Sequence, residues 1–135
     1  AAVPFYGVYD FAAATGSRKA RQMRDGFLGP RVLFKDPRQE IEHFERASPL
    51  LRVNADAPPM LVIHGTHDTL ASVAQARTFV EKLREVSKRS VVYAELPGTQ
   101  HAFDVFPSIR SATVRKPEAS SSNARFRASS WISRI

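Results

Sequence analysis

The stretch PPMLVIHGTHDTL, residues 58–70, decides the fold. Its apolar run, PMLVIH, ends in a turn that holds His64, Gly65, His67 and Asp68. The run is continuously apolar rather than alternating, the pattern of a strand buried on both faces. A second run of the same kind, SVVYAEL at residues 90–96, ends in the turn PGTQ followed by His101. Between them lies SVAQARTFVEKLREVS, residues 72–87. There Val73, Ala76, Val80, Leu83 and Val86 recur at helical spacing, and Ser72 stands at the N-cap position. Strand, helix, strand is the unit of a parallel sheet, because parallel neighbours need a long crossover. Functional groups in such a sheet gather beyond the carboxyl ends of the strands. Asp68 and His101 both stand there.

That placement suggests chemistry. On neighbouring strands, Asp68 can accept a hydrogen bond from one ring nitrogen of His101, fixing its tautomer and stabilising its cation. The other nitrogen is then available as a general base. Aspartate before histidine, at the ends of successive strands, is the order found in α/β-hydrolase triads. A zinc site from His64, His67 and Asp68 is a weaker reading, because HGTHD lacks the i, i+4 histidine spacing of an HExxH helix. No metal and no cofactor are expected. His64 reads as a strand-end residue packing the turn, and His43 and Asp104 read as structural or exposed.

Upstream, AVPFYGVY at residues 2–9 reads as a buried strand whose first half is weakened by Pro4. Residues 15–38 read as loop and short helix. DPRQEIEHFERASPL, residues 36–50, reads as a short helix with Asp36 as N-cap, Pro37 in the first turn and Pro49 as its stop. The fold class is therefore α/β, a parallel sheet with helices on both faces.

The chain of 135 residues is 43% apolar and long enough for one domain with a core. No apolar run approaches the roughly 18 residues of a membrane span. The opening AAVPFYGVYDF has neither the basic start nor the cleavage pattern of a signal peptide, so no leader is expected in it. The absence of cysteine excludes disulfides, thiolate nucleophiles and cysteine-ligated metals. No feature fixes a compartment, and the cytoplasm is the working expectation. The net charge of +7 is concentrated at one end. From residue 107 onward Arg110, Arg115, Lys116, Arg125, Arg127 and Arg134 oppose Glu118 alone, which is +5 and leaves +2 for the body. No nucleic-acid partner is expected of a near-neutral body. The Ser/Arg-rich segment 107–135 reads as a solvated tail, with a helix expected over about residues 123–135.

Taken together, the two turns carry a family resemblance. Residues 47–106, from ASPLLRVNADAPPMLVIHGTHDTL to LPGTQHAFDVF, are similar to the C-terminal part of an α/β-hydrolase. They most resemble the carboxylesterase and lipase group related to hormone-sensitive lipase. In that family a His-Gly-x-x-Asp turn carries the triad acid, which matches Asp68, and a Gly-x-x-His-x-Phe turn carries the base, which matches His101. The resemblance implies that residues 1–106 are the C-terminal portion of a hydrolase domain, with 15–50 contributing to the cap. It implies hydrolysis of a small-molecule carboxylic ester by serine acyl transfer. The sequence departs from the family in three respects. It contains no Gly-x-Ser-x-Gly, it contains no His-Gly-Gly oxyanion motif, and the tail stands where the family has an amphipathic helix. The expectation is a partial hydrolase-type sheet that is inactive alone and self-associates through its exposed first strand. Two other readings stay open: a peptidase of the prolyl-oligopeptidase type, and a non-catalytic interaction module with a basic tail.

Overall fold

The structure, a computed structural model, describes residues 1–105. The tail and its expected helix lie outside the described residues. In chain order the elements are α1 (Arg18–Met23), a π-helical segment (Arg24–Leu33), α2 (Ile41–Ala47), a 3₁₀ turn (Pro49–Leu51), β1 (Met60–Gly65), α3 (Val73–Val86) and β2 (Val91–Leu96).

β1 and β2 pair in parallel, with Met60 opposite Val91 and Gly65 opposite Leu96. Alternation along the strands splits the core into two clusters. Val62, with Met60, Val91 and Tyr93 beside it, packs against Ala76, Phe79, Val80 and Leu83 of α3. Tyr9, Leu50 and Ala57 complete that cluster, and Tyr9 stacks on Phe79 at 4.5 Å. Burial pushes the Tyr9 phenol up to about 12. Leu61, Ile63 and Leu96 point the other way and pack against Phe5, Val92, Ala94 and Phe103. Among the described residues the expected helix cover is thus realised on one face, where α3 lies, and the second cluster packs against loop aromatics. A third cluster, Ala12, Leu28 and Phe44, serves the helices of the first half.

The strand expected over residues 2–9 is reduced to two parallel bridges, Ala2 to Met60 and Phe5 to Ile63. Pro4 has no N–H to offer a ladder. Tyr6 then adopts a left-handed backbone, φ +38°, which carries the chain away from the sheet. Residues 15–38 are more helical than expected: Ser17 caps α1 by accepting the Ala20 N–H, and the π-helical segment continues from it. Asp36 does not cap α2. Its Oδ1 accepts the Arg38 N–H at 2.9 Å, and its carbonyl accepts from Gln39 and Glu40, so it closes a separate turn before a helix that begins at Ile41. Pro49 does end α2 and opens the 3₁₀ turn. Ser48 joins the segments, donating to the Phe44 carbonyl and accepting the Ala12 N–H.

The α3 helix forms where the spacing places it. Ser72 occupies its N-cap position without a side-chain cap bond. Its buried face is Gln75, Ala76, Phe79, Val80 and Leu83, whereas Val86, the last helical residue, is 42% exposed. Buried Gln75 accepts the Tyr9 and Asp10 N–H groups at 3.3 Å, tying the first segment to α3. Arg77 grips Glu95 of β2 with two hydrogen bonds of 2.8 and 2.6 Å, which hold that carboxyl below the usual glutamate range. Both groups are partly exposed, so the pair adds little stability.

The turns beyond β1 and β2 interlock. Thr66 N–H donates to the Leu96 carbonyl at 3.0 Å, His67 N–H to the Thr99 carbonyl at 3.1 Å, and Gly98 N–H to Thr66 Oγ1 at 2.8 Å. Gly65 makes this approach possible: a Cβ there would sit 2.1 Å from the Thr99 carbonyl oxygen.

Two expectations follow for urea denaturation. Leu83→Ala should cost about 2–5 kcal/mol by opening the α3 core, while Val86→Ala should stay within about 0.5 kcal/mol. Gly65→Ala should destabilise by about 1–3 kcal/mol, because backbone rather than a flexible side chain must give way. Equal effects of Leu83→Ala and Val86→Ala would contradict the packing described.

Candidate active site

An aspartate three residues beyond a strand has two jobs open to it, and Asp68 performs both. Oδ1 accepts the N–H groups of Leu70 and Ala71 at 2.9 and 2.7 Å, which folds the turn into the start of α3. Oδ2 lies 2.8 Å from Nδ1 of His101. The carboxylate is wholly buried and the His101 side chain is 27% exposed, so one end of the pair is dry and the other reaches solvent.

A carboxylate only accepts, so Nδ1 of His101 carries the proton of this bond. Nε2, across the ring, then bears a lone pair suited to taking a proton from a hydroxyl. The interlocked turns supply the geometry: the register aligns Gly65 with Leu96, and the short PGTQ turn brings His101 back over Asp68.

The imidazole is also packed from the N-terminal segment. The Tyr6 ring lies 4.6 Å from it, centroid to centroid, and Phe103 meets Tyr6 edge-on at 5.6 Å. The Tyr6 hydroxyl donates to Asp104 Oδ1 at 2.6 Å, which ties the histidine turn to the first segment. Sequence reasoning missed Tyr6, whereas Asp104, read as structural or exposed, serves here as a structural tie. Within FYGVY a tyrosine looks like any strand aromatic, and only the left-handed backbone at Tyr6 brings its ring to the site.

The histidines of HGTHD separate. His64 is fully buried, with Nε2 2.9 Å from the Ala71 carbonyl and 3.4 Å from Asp68 Oδ2. His67 is exposed, so the two do not converge on a common ligand. His43 lies elsewhere, beside an open cavity shared with Lys35, Arg46 and Arg52. A smaller cavity of about 310 Å³ opens beside the aspartate turn, with Val8, Met23, Phe27 and Leu70 in its wall.

Comparison with known proteins places the chain in a family. The BD-FAE family model matches residues 1–83. The probable carboxylic ester hydrolase LipM of Mycobacterium tuberculosis is 50% identical over 113 residues, covering 83% of this chain and 26% of LipM. The chain thus spans about a quarter of that relative's length. Among solved structures, the thermophilic esterase Est2 of Thermogutta terrifontis, in its propionate-bound form, aligns with a TM-score of 0.57 at 20% identity. That alignment covers 81% of this chain and 35% of Est2. The acylaminoacyl peptidase of Pyrococcus horikoshii aligns with a TM-score of 0.57 at 18% identity, over 76% of this chain and 16% of the peptidase. At these identities the two structures speak for the fold alone. With its family match spanning more than half of the chain, this protein belongs to the BD-FAE family and is a partial α/β-hydrolase of the esterase and lipase group.

Proposed function

We propose that this chain supplies the acid and base of a serine-type carboxylic ester hydrolase. The observation that carries the reading is the 2.8 Å bond between Asp68 and His101 at the carboxyl ends of adjacent parallel strands. In the complete reaction, His101 Nε2 takes the proton of a serine hydroxyl as its oxygen attacks the ester carbonyl. The same nitrogen then protonates the departing alcohol. Asp68 holds the ring and stabilises its cation throughout. The 135 residues contain no Gly-x-Ser-x-Gly and no His-Gly-Gly, so the serine and oxyanion donors must come from other residues of the complete protein. The cavity between residues 19–27 and the aspartate turn, where Met23, Phe27 and Leu70 stand beside Lys19, Gln22 and Gln75, offers room of mixed polarity for part of a small ester. The esterase names of the relatives favour this reading over the peptidase one, which rests on likeness of fold.

The test is transplantation. Residues of this chain replace the 113 that match in LipM, and hydrolysis of a short p-nitrophenyl ester is followed. The chimera should be active. His101→Ala should lower kcat by roughly 10⁶-fold and Asp68→Asn by roughly 10⁴-fold, the losses found when the base and the acid of a serine triad are removed. Full activity in a folded His101→Ala chimera would defeat the assignment. The 135-residue chain alone should show no turnover above background.

We also propose that this chain alone self-associates through its first segment. Ala2, Pro4 and Tyr6 spend their backbone groups on β1. Val3 and Phe5 turn theirs to the opposite edge, where no described residue pairs with them, and Val3 is 43% exposed. An apolar edge of this kind is a template for another strand. Light scattering should report a mass above the 15.0 kDa monomer, reduced by Val3→Lys. A monomer at every concentration would dispose of the idea.

A further inference from the structure

His64 sits at the end of β1, wholly buried, and the acid–base pair alone gives no reason for a histidine there. Its contacts supply one. Nε2 lies 2.9 Å from the Ala71 carbonyl oxygen. That oxygen can only accept, so Nε2 carries a hydrogen. The same nitrogen is 3.4 Å from Asp68 Oδ2, the oxygen that His101 uses from the other side at 2.8 Å. Nδ1 of His64 is buried with no hydrogen-bond partner. A bare lone pair is the cheaper occupant of such a position, because an orphaned buried N–H is among the rarest features of folded proteins. Both nitrogens therefore call for the same tautomer.

We infer that His64 is a positioning residue for Asp68: its Nε2–H clamps the aspartate turn shut and fixes which carboxylate oxygen faces His101. The inference rests on reading Asp68 and His101 as the acid–base pair. Ala71 is the peg of the clamp. Its carbonyl is held by His64 and its N–H by Asp68 Oδ1, so one nearly inaccessible residue is gripped through both of its flanking peptide groups. With Oδ1 committed to two backbone donors, Oδ2 is directed between the two imidazoles. The carboxylate cannot rotate without breaking several of these contacts together. Because the shared hydrogen of His64 points chiefly at Ala71, the strong bond of Oδ2 is left to His101. A leucine would fill the space but orphan the Ala71 carbonyl. A glutamine carries an N–H donor that can replace Nε2–H.

The test reads tautomers and bonds rather than turnover. The 135-residue chain is labelled with ¹⁵N-histidine and its imidazole nitrogens are recorded by NMR at about pH 8, above the ordinary histidine range. Sedimented protein under magic-angle spinning serves where the chain associates. His64 should show the Nε2–H tautomer. His101 should show a downfield Nδ1–H signal that collapses in His64→Leu and returns in His64→Gln. An Nδ1–H tautomer at His64 would overturn the inference. So would a folded His64→Leu protein with the His101 signal unmoved. Should His64→Leu fail to fold, the tautomer of the unsubstituted chain and the His101 signal of His64→Gln still decide. Failure of the hydrolase reading shows separately, as activity that survives His101→Ala in the chimera.

Discussion

The parallel, in-register pairing of β1 with β2 is the constraint on which the rest depends. Because Gly65 stands opposite Leu96, the two strands end together and their turns must share one small space. Gly65 is the residue that permits it, since any side chain there would meet the Thr99 carbonyl. Three hydrogen bonds then lace the turns, and the site follows from that lacing. A slip of register by one residue would move His101 away from Asp68 and exchange the side chains of one strand between the two differently shaped clusters.

The two oxygens of Asp68 show how two sets of contacts share one side chain. A turn-closing aspartate and a histidine-orienting aspartate look like rival readings of one residue. Here each claims a different oxygen: Oδ1 closes the turn, and Oδ2 receives His101. The consequence is rigidity where chemistry needs it. A carboxylate already fixed by two backbone donors loses little further freedom when it holds an imidazole in place.

The packing is lopsided. On one face α3 buries Ala76, Phe79, Val80 and Leu83 against Val62 and its neighbours. On the other, Leu61, Ile63 and Leu96 rely on Phe5 and Phe103. The same loop aromatics reach the site, because Tyr6 packs on His101, Phe103 meets Tyr6 and Phe5 packs on Phe103. Closure of the second face and placement of the base are thus one packing problem.

What the sequence determined by itself was the strand–helix–strand core and the pair of turns beyond it. PMLVIH and SVVYAEL are apolar enough to seek the core, although β2 stays half-buried except at Leu96, and the spacing of Ala76, Val80 and Leu83 suits a helix. Local chemistry of this kind is written in consecutive residues, so Asp68 and His101 could be singled out from their positions beyond the strands together with the family resemblance of the two turns. Tertiary structure decided whatever depends on residues far apart in the chain. It shortened the first strand to two bridges, because Pro4 lacks a donor and Tyr6 must turn to meet His101. It took Asp36 for a turn rather than a cap, left Val86 beyond the cover of the sheet, and gave His64 a carbonyl to hold. The turn at Tyr6 and the joining of the site rest on pairings 98 residues apart for Tyr6 with Asp104 and 33 for Asp68 with His101, distances that no local propensity or periodicity records. The Asp36 turn and the His64–Ala71 bond span only two and seven residues, and they turn on which of several local partners the packing leaves in reach.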